Sequence, residues 1–232
     1  MPVTELSTWL RLQSSVGLAT CTWLAARGGE VGPGSSTAIA IGVAVSFGWL
    51  VWRLRAWRTV ADAVTTARLL GLVGLLAMAP AGGGWAWWLG AVAVVSADLL
   101  DGAAARRFGG SPAGALLDME ADQFVVFGLA TAIVLGGGGR HVLVLPSLRW
   151  AFVLASWWLR IPAHEPKPVN GDNRRGRRIC AAVMVALLIA TIPGLEPTIG
   201  DAGTALAVVL LAWSFAADAR HLLVRRREGA SA

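Results

Sequence analysis

The chain has 232 residues, of which 56% are hydrophobic and only 15% are charged, and its mean hydropathy is +0.62. Soluble globular domains contain roughly 25% charged residues, so this composition excludes one, and it excludes an intrinsically disordered chain as well. The net charge is +6, from 20 Lys and Arg against 14 Asp and Glu. Because the basic residues stand at the ends of apolar blocks, we expect them to meet lipid headgroups, and we expect no nucleic acid as a partner.

The apolar residues fall into blocks whose length suits helices that cross ~30 Å of hydrocarbon. A weaker block at 7–26 contains Arg11 and Gln13, and it predicts either a span or an interfacial helix. The stronger blocks, separated by Gly- and Pro-rich breaks, are 36–52, 64–80, 85–101, 114–136, 141–160, 178–195 and 199–220. The predicted fold class is all-α: a polytopic membrane protein with a six-transmembrane-helix core and one or two extra N-terminal membrane helices.

The chain divides into three units by composition and charge. Residues 1–60 form an N-terminal extension whose end, 51–60, predicts an interfacial helix; residues 61–224 form the six-helix core, and residues 225–232 form a basic tail. From residue 60 onward, basic clusters occupy every second connection, which the positive-inside rule assigns to the cytoplasm. We therefore expect a multi-pass protein of the cell membrane, with both ends of the core on the cytoplasmic side.

Five acidic residues stand at the predicted cytoplasmic ends of two consecutive spans, where a charge near hydrocarbon needs a role or a counter-charge. Asp98 and Asp101 are three residues apart, and Asp118 and Asp122 are four apart, so each pair shares a helix face. Antiparallel helices would bring the four carboxylates together, where they repel unless cations bridge them. Oxygen ligands favour Mg²⁺ or Mn²⁺, so the pattern predicts a two-metal site. Glu120 points to another side of its helix and is interpreted as an interfacial or helix-contact carboxylate.

The same aspartates belong to a longer pattern, Asp98-x2-Asp101-Gly102-x2-Ala105-Arg106-x7-Gly114-x3-Asp118-x3-Asp122. This pattern closely resembles the motif of the CDP-alcohol phosphotransferase family, integral membrane enzymes of phospholipid synthesis. The resemblance extends over about residues 60–225. The seven residues between Arg106 and Gly114 are one or two fewer than the family usually has, which affects the placement of Ser111 in the loop and leaves the aspartates in register.

The resemblance implies a reaction. A phosphatidyl group passes from a CDP-activated lipid, such as CDP-diacylglycerol, to an alcohol acceptor, and CMP is released. Two divalent cations, Mg²⁺ or Mn²⁺, would be held by the four aspartates, and Asp122 would also accept the proton of the acceptor hydroxyl. Members of the family are typically homodimers, so the same is expected for this chain.

The resemblance also implies contacts to the nucleotide lipid. Asp62-Ala-Val-Thr65 is similar to a short element at the start of the first span in family members, although Thr65 also suits the first residue of a helix. Together with the motif, the expected nucleotide-lipid contacts are Asp62, Thr65, Gly102, Ala105, Arg106 and Ser111.

The acceptor must be recognised by residues outside the shared motif. Arg175-Gly-Arg177-Arg178 loosely resembles an arginine element of family members that use inositol phosphate, and Arg149 lies about midway in a predicted span. Arg149, Arg175 and Arg178 are therefore candidate contacts to an acceptor phosphate, as in inositol phosphate or glycerol 3-phosphate. The same loop also suits contact with anionic lipid, which would leave an unphosphorylated alcohol as acceptor.

An ion-coupled membrane carrier is the alternative from another class of protein. A carrier would spread its carboxylates over several spans near the midplane, whereas here they lie at one membrane face. The enzyme is therefore favoured. Arg68, one turn into its predicted span, can extend to the cytoplasmic interface and receives no assigned role.

Overall fold

A computed structural model describes residues 3–28, 31–32, 34–55, 59–79, 84–108, 112–159 and 174–229. Within these ranges, the side chains of residues 3, 4, 99, 101–106, 108, 112, 174 and 221–229 lie outside the description. The described residues form eight α-helices and one 3₁₀ helix, and they contain no strand. The predicted all-α class is confirmed.

Each predicted apolar block corresponds to one helix. In chain order the helices are α1 Val3–Arg27, α2 Gly34–Leu54, α3 Val60–Met78, α4 Trp85–Phe108, α5 Pro112–Leu135, α6 Val144–Trp158, α7 Arg174–Ala190 and α8 Pro197–Gly229. A 3₁₀ helix, Arg140–Leu143, leads into α6.

The junction between α2 and α3 differs from the sequence prediction. Residues 51–54, which the sequence assigned to a separate interfacial helix, continue α2 to its end at Leu54, and Arg55 follows with a left-handed φ of 50°. Residues 56–58 of the same predicted segment lie outside the described residues. Thr59 then caps α3: its side chain accepts a bond from the Asp62 backbone N–H at 3.1 Å, and the Asp62 side chain accepts one from the Thr59 backbone N–H at 3.2 Å. This reciprocal capping box starts the helix at Thr59 and not at Thr65.

Helix α5 forms the centre of the bundle. Most of its side chains from Leu117 to Val134 are buried, as expected of a helix that is apolar on all sides. It contacts α2, α3, α4, α6 and α7, while α3 pairs closely with α4 and α7 with α8. The carboxylates near the start of α5 are therefore surrounded by helices from both halves of the chain.

The two N-terminal helices pack on this bundle. Helix α2 contacts α3 and α5, and α1 contacts α6. Gly17 lies against the ring of Trp150, where an added Cβ would come within 2.6 Å of the ring atoms. The Arg11 guanidinium lies over the ring of Trp157, 4.9 Å from its centroid.

Three helices of the described residues are long and apolar enough to cross a membrane by length and composition: α2, α3 and the Pro197–Arg220 part of α8. Large apolar side chains are also exposed around the bundle, which suits contact with lipid; examples are Leu12, Val45, Leu70, Leu89 and Val209. The apolar helices support the membrane class. The six spans of the core remain a prediction.

Candidate active site

Three of the predicted metal ligands meet at one end of the bundle. Asp98 comes from the second half of α4, and Asp118 and Asp122 come from successive turns near the start of α5. One carboxylate oxygen of each lies within 4.8 Å of the other two. Each side chain is 40–45% exposed, so the group is open on one side. We call these three residues the carboxylate cluster.

Arg68 of α3 lies on the buried side of the cluster. Its side chain is only 1% exposed, its Nη2 lies 2.7 Å from Asp122 Oδ1, and its Nη1 lies 3.6 Å from Asp98 Oδ1 and 3.7 Å from Asp118 Oδ1. Its Nε donates a bond to the Val94 carbonyl at 3.0 Å, which fixes the plane of the guanidinium. A buried arginine that faces three carboxylates reduces their mutual repulsion.

Sequence reasoning did not assign Arg68 to the site, and the idea that it extends to the membrane interface is wrong. A signal was present in the spacing. Asp62, Thr65 and Arg68 recur every third residue, and all three lie on the buried face of α3. Because Arg68 shares this face with two candidate ligand contacts, the spacing indicates that its side chain belongs to the site.

Asp62 and Thr65 are both buried at the end of α3 nearest the cluster, each 2% exposed. Asp62 Oδ2 closes the capping box described above, while Asp62 Oδ1 is buried and has no hydrogen-bond partner among the described residues. The hydroxyl of Thr65 donates to the Ala61 carbonyl at 3.1 Å. Asp62 thus has a structural role of its own, beside any role in ligand binding.

The remaining motif residues receive no geometric test. Asp101, Gly102, Ala105 and Arg106 continue helix α4, but their side chains lie outside the description. Ser111 lies outside the described residues.

Arg149 of α6 contacts the turn of α5 that lies between Asp118 and Asp122 in the sequence. Its Nη1 donates to the Met119 carbonyl at 3.1 Å, and its Nη2 forms an ion pair with Glu120. Its side chain is 19% exposed. Glu120 is buried and contacts neighbouring helices, so its interpretation as a helix-contact carboxylate is confirmed.

The other two candidate acceptor contacts lie on α7. Arg175 Nη2 is 2.9 Å from Asp218 Oδ1 of α8, and its guanidinium lies 5.3 Å from the centroid of the Trp213 ring. Arg178 is exposed. The thiol of Cys180, also exposed, interacts electrostatically with both Asp122 and Arg149. Helix α7 contacts α4 and α5, the helices that carry the cluster, although Arg175 itself is turned toward α8.

A protein-family model of the CDP-alcohol phosphatidyltransferases matches residues 58–217, more than half of the chain. The match begins beside the cap of α3 and includes the carboxylate cluster and Arg68. The chain belongs to the CDP-alcohol phosphatidyltransferase family. The family transfers a phosphatidyl group from a CDP-alcohol to an alcohol within a membrane, which makes the chain a transferase of phospholipid synthesis. No curated protein and no solved structure matches the chain.

The family uses divalent metals, and the carboxylate cluster suits one. Carboxylate oxygens are preferred ligands of Mg²⁺ and Mn²⁺. Three carboxylates and one guanidinium leave two net negative charges, which one divalent cation would balance. The residues present therefore fit a divalent cation.

Proposed function

We propose that this phosphatidyltransferase takes CDP-diacylglycerol, or a similar CDP-activated lipid, as donor and transfers its phosphatidyl group to an alcohol with release of CMP. The convergence of Asp98, Asp118 and Asp122 within the region that matches the family carries the proposal. The open side of the cluster gives a charged, polar group access to the carboxylates. A purely structural cluster would be expected to be buried and fully paired.

We assign Asp98, Asp101, Asp118 and Asp122 as ligands of two divalent cations, Mg²⁺ or Mn²⁺. Asp101 follows Asp98 by three residues in the same helix, a spacing that favours shared ligation by the two residues. When bound, the cations neutralise the donor diphosphate and polarise the phosphorus that is attacked.

Asp122 serves as the general base. The acceptor hydroxyl loses its proton to the carboxylate, its oxygen forms a bond to the phosphatidyl phosphorus, and the bond from that phosphorus to the CMP oxygen breaks. Arg68 supports this role, because its 2.7 Å contact to Oδ1 holds Asp122 in one orientation.

The nucleotide end of the donor is assigned to the face of α3 and α4 beside the cluster. Asp62 and Thr65 lie on the buried face that also carries Arg68, and Asp62 Oδ1 can accept a bond. Gly102 and Ala105 allow a close approach to the backbone of α4. Arg106 and Ser111 complete the set of proposed contacts, with Arg106 supplying charge-assisted bonds to the diphosphate.

The acceptor that we favour is a phosphorylated polyol, such as inositol phosphate or glycerol 3-phosphate. Arg149 supports this choice, because it is bound to the turn of α5 that carries Asp118 and Asp122 and remains partly exposed. Arg175 and Arg178 supply further positive charge from α7. An unphosphorylated alcohol would use the same chemistry without a need for these arginines.

The charge distribution and the family support proposals for the orientation of the protein in the membrane and for its oligomeric state. We propose that the site faces the cytoplasm of a cell membrane, because the sequence places the basic clusters and the aspartates at the same ends of the predicted spans. We also propose a homodimer, by analogy with the family.

CMP release by the purified protein in detergent, with CDP-diacylglycerol and Mn²⁺, tests the function and names the acceptor. Inositol 1-phosphate, glycerol 3-phosphate, inositol, serine and phosphatidylglycerol would be offered one at a time. We expect release with a phosphorylated polyol, and a fall of at least about 100-fold in Asp122→Asn, since general bases typically contribute this much. Asp201→Asn is the matched control, because Asp201 accepts a bond from the Gly139 N–H at the other end of the bundle. Acceptor-dependent CMP release that is unchanged in Asp122→Asn would contradict the proposed role of this carboxylate.

A further inference from the structure

A buried polar network joins the N-terminal extension to the helix that carries Asp118 and Asp122. Gln13 of α1 donates from Nε2 to Glu120 Oε2 at 3.3 Å, and Glu120 Oε1 forms an ion pair with Arg149 of α6. Glu120 is 1% exposed and Gln13 is 8% exposed. One buried carboxylate therefore ties α1, α5 and α6 together.

Glu120 connects this network to the turn of α5 that carries two aspartates of the cluster. Glu120 lies between Asp118 and Asp122 in sequence, and Arg149 also contacts the carbonyl of Met119. Arg149 is thus fixed by two contacts to the turn of α5 that carries two members of the cluster. A buried carboxylate needs donors for both of its oxygens, and Gln13 supplies one to the oxygen that Arg149 does not contact.

The bond from Gln13 is separable from the docking of α1. Helix α1 is also held by the packing of Gly17 against Trp150 and by a hydrogen bond from Arg140 to the Ala25 carbonyl at 2.9 Å. These contacts lie elsewhere along the helix, so α1 keeps its place without the bond from Gln13. Gln13 also lies outside residues 58–217, so the bond belongs to this chain's extension and not to the region that the family shares.

We propose that Gln13 is a positioning residue for the acceptor: through Glu120 it holds the guanidinium of Arg149 against the turn of α5 that also carries Asp118 and Asp122, where Arg149 binds the anionic group of the acceptor. This inference rests on the acceptor role proposed above for Arg149. Without the donor from Gln13, the Glu120 carboxylate is free to rotate away from its present orientation, and the guanidinium paired with it moves as well.

Kinetics of Gln13→Leu test the inference, with Gln123→Leu as the matched control. Gln123 is also a buried glutamine; its Nε2 donates to the Pro146 carbonyl at 2.9 Å and so joins α5 to α6, as Glu120 does. We expect Gln13→Leu to raise the KM for the phosphorylated acceptor about ten-fold, the order of effect of one hydrogen bond to a charged group. The kcat and the KM for the CDP-lipid stay within about two-fold of the wild type, and Gln123→Leu leaves the acceptor KM unchanged.

Cys180 provides a readout that does not depend on activity. Its thiol is exposed and interacts with Asp122 and Arg149, so the rate ratio of an anionic to a cationic thiol reagent reports the local charge at one pH. Peptide mass mapping separates this label from any on Cys21, which is buried. We expect the ratio to fall in Gln13→Leu and in Arg149→Gln, and to stay at the wild-type value in Gln123→Leu.

The outcomes separate this inference from the proposed function. An unchanged Cys180 ratio in Gln13→Leu overturns the inference, as does an equal loss in Gln13→Leu and Gln123→Leu, and both leave the transferase function standing. A changed ratio with an unchanged acceptor KM also overturns it. If the wild type releases no CMP, the proposed function fails, and the Cys180 ratio alone decides whether Gln13 positions Arg149.

Discussion

Arg68 is the residue on which the geometry of the carboxylate cluster depends most. One guanidinium, 1% exposed, lies within 3.7 Å of oxygens from three aspartates on two helices. Its planar fork presents several donors in fixed directions, which a single ammonium does not. The charge on Arg68 and its shape therefore both matter.

We expect Arg68→Lys to keep the positive charge but to lose the simultaneous contact with the three aspartates. Because Arg and Lys are not interchangeable at sites with several fixed contacts, the rate of CMP release should fall at least about ten-fold. The measurement is CMP release at saturating donor and acceptor. Arg220→Lys, at an exposed position of α8, serves as the control and should retain the wild-type rate. Wild-type turnover by Arg68→Lys would show that the fork geometry is not needed.

At the residue scale, the aspartates were predictable from sequence and Arg68 was not. Spacings of three and four place carboxylates on one helix face, and this rule identified Asp98, Asp118 and Asp122 before any geometry was known. Hydropathy treats an arginine near a span end as a lipid-facing anchor, because it carries no information on which side of the helix faces the bundle. The spacing of Asp62, Thr65 and Arg68 puts the arginine on one face with two candidate contacts, and the packing of α3 against α4 and α5 shows that this face points inward.

At the scale of the helices, the existence of each element was predictable and its ends were not. Helix α4 continues to Phe108, beyond the apolar block that ends at 101, and α8 continues to Gly229, beyond 220. An apolar block marks the part of a helix that suits hydrocarbon, whereas the backbone bonds continue into polar sequence. The boundary between α2 and α3 depends on the left-handed Arg55 and the Thr59 cap, which hydropathy does not report.

The contact between α1 and α6 gives a prediction at this scale. In Gly17→Ala, the new methyl group would meet the ring of Trp150 at 2.6 Å, and such overpacking typically destabilises a protein by ~1–3 kcal/mol. We expect a lower Tm in detergent, measured by thermal unfolding. Gly42→Ala on α2 is the matched control, because an added Cβ there has no atom within 4 Å, and alanine favours the helix. Equal Tm values for the two variants would show that the close packing of α1 on α6 is absent in solution.

At the scale of the whole molecule, the N-terminal extension shares its packing with the region that matches the family. Buried side chains of α1 and α2 join the same apolar core as those of α5 and α6. The sequence separated residues 1–60 by composition, and composition alone does not show which helices of a bundle become neighbours. The contact of Gln13 with Glu120 is of this kind, since the two residues are 107 positions apart in the chain.

The identity of the acceptor depends on the packing of the whole bundle, which the sequence does not report. The shared motif reports the chemistry, because metal ligands require fixed residue types at fixed spacing. We propose that the acceptor is selected by side chains of α6 and α7, whose positions depend on the packing of the bundle. The sequence makes both Arg149 and Arg175 candidate acceptor contacts, yet Arg149 is bound to α5 and Arg175 is turned toward α8.

The dependence of CMP release on Mn²⁺ concentration tests the central claim most directly, that the carboxylate cluster holds the cations of a phosphatidyltransferase. The wild type should require a divalent cation and should saturate with Mn²⁺. Asp118→Asn removes a ligand charge without a change of size, so we expect at least about a ten-fold rise in the Mn²⁺ concentration for half-maximal release. Asp201→Asn should match the wild type. CMP release that persists in a chelator, or an Asp118→Asn curve that overlays the wild type, would contradict the account.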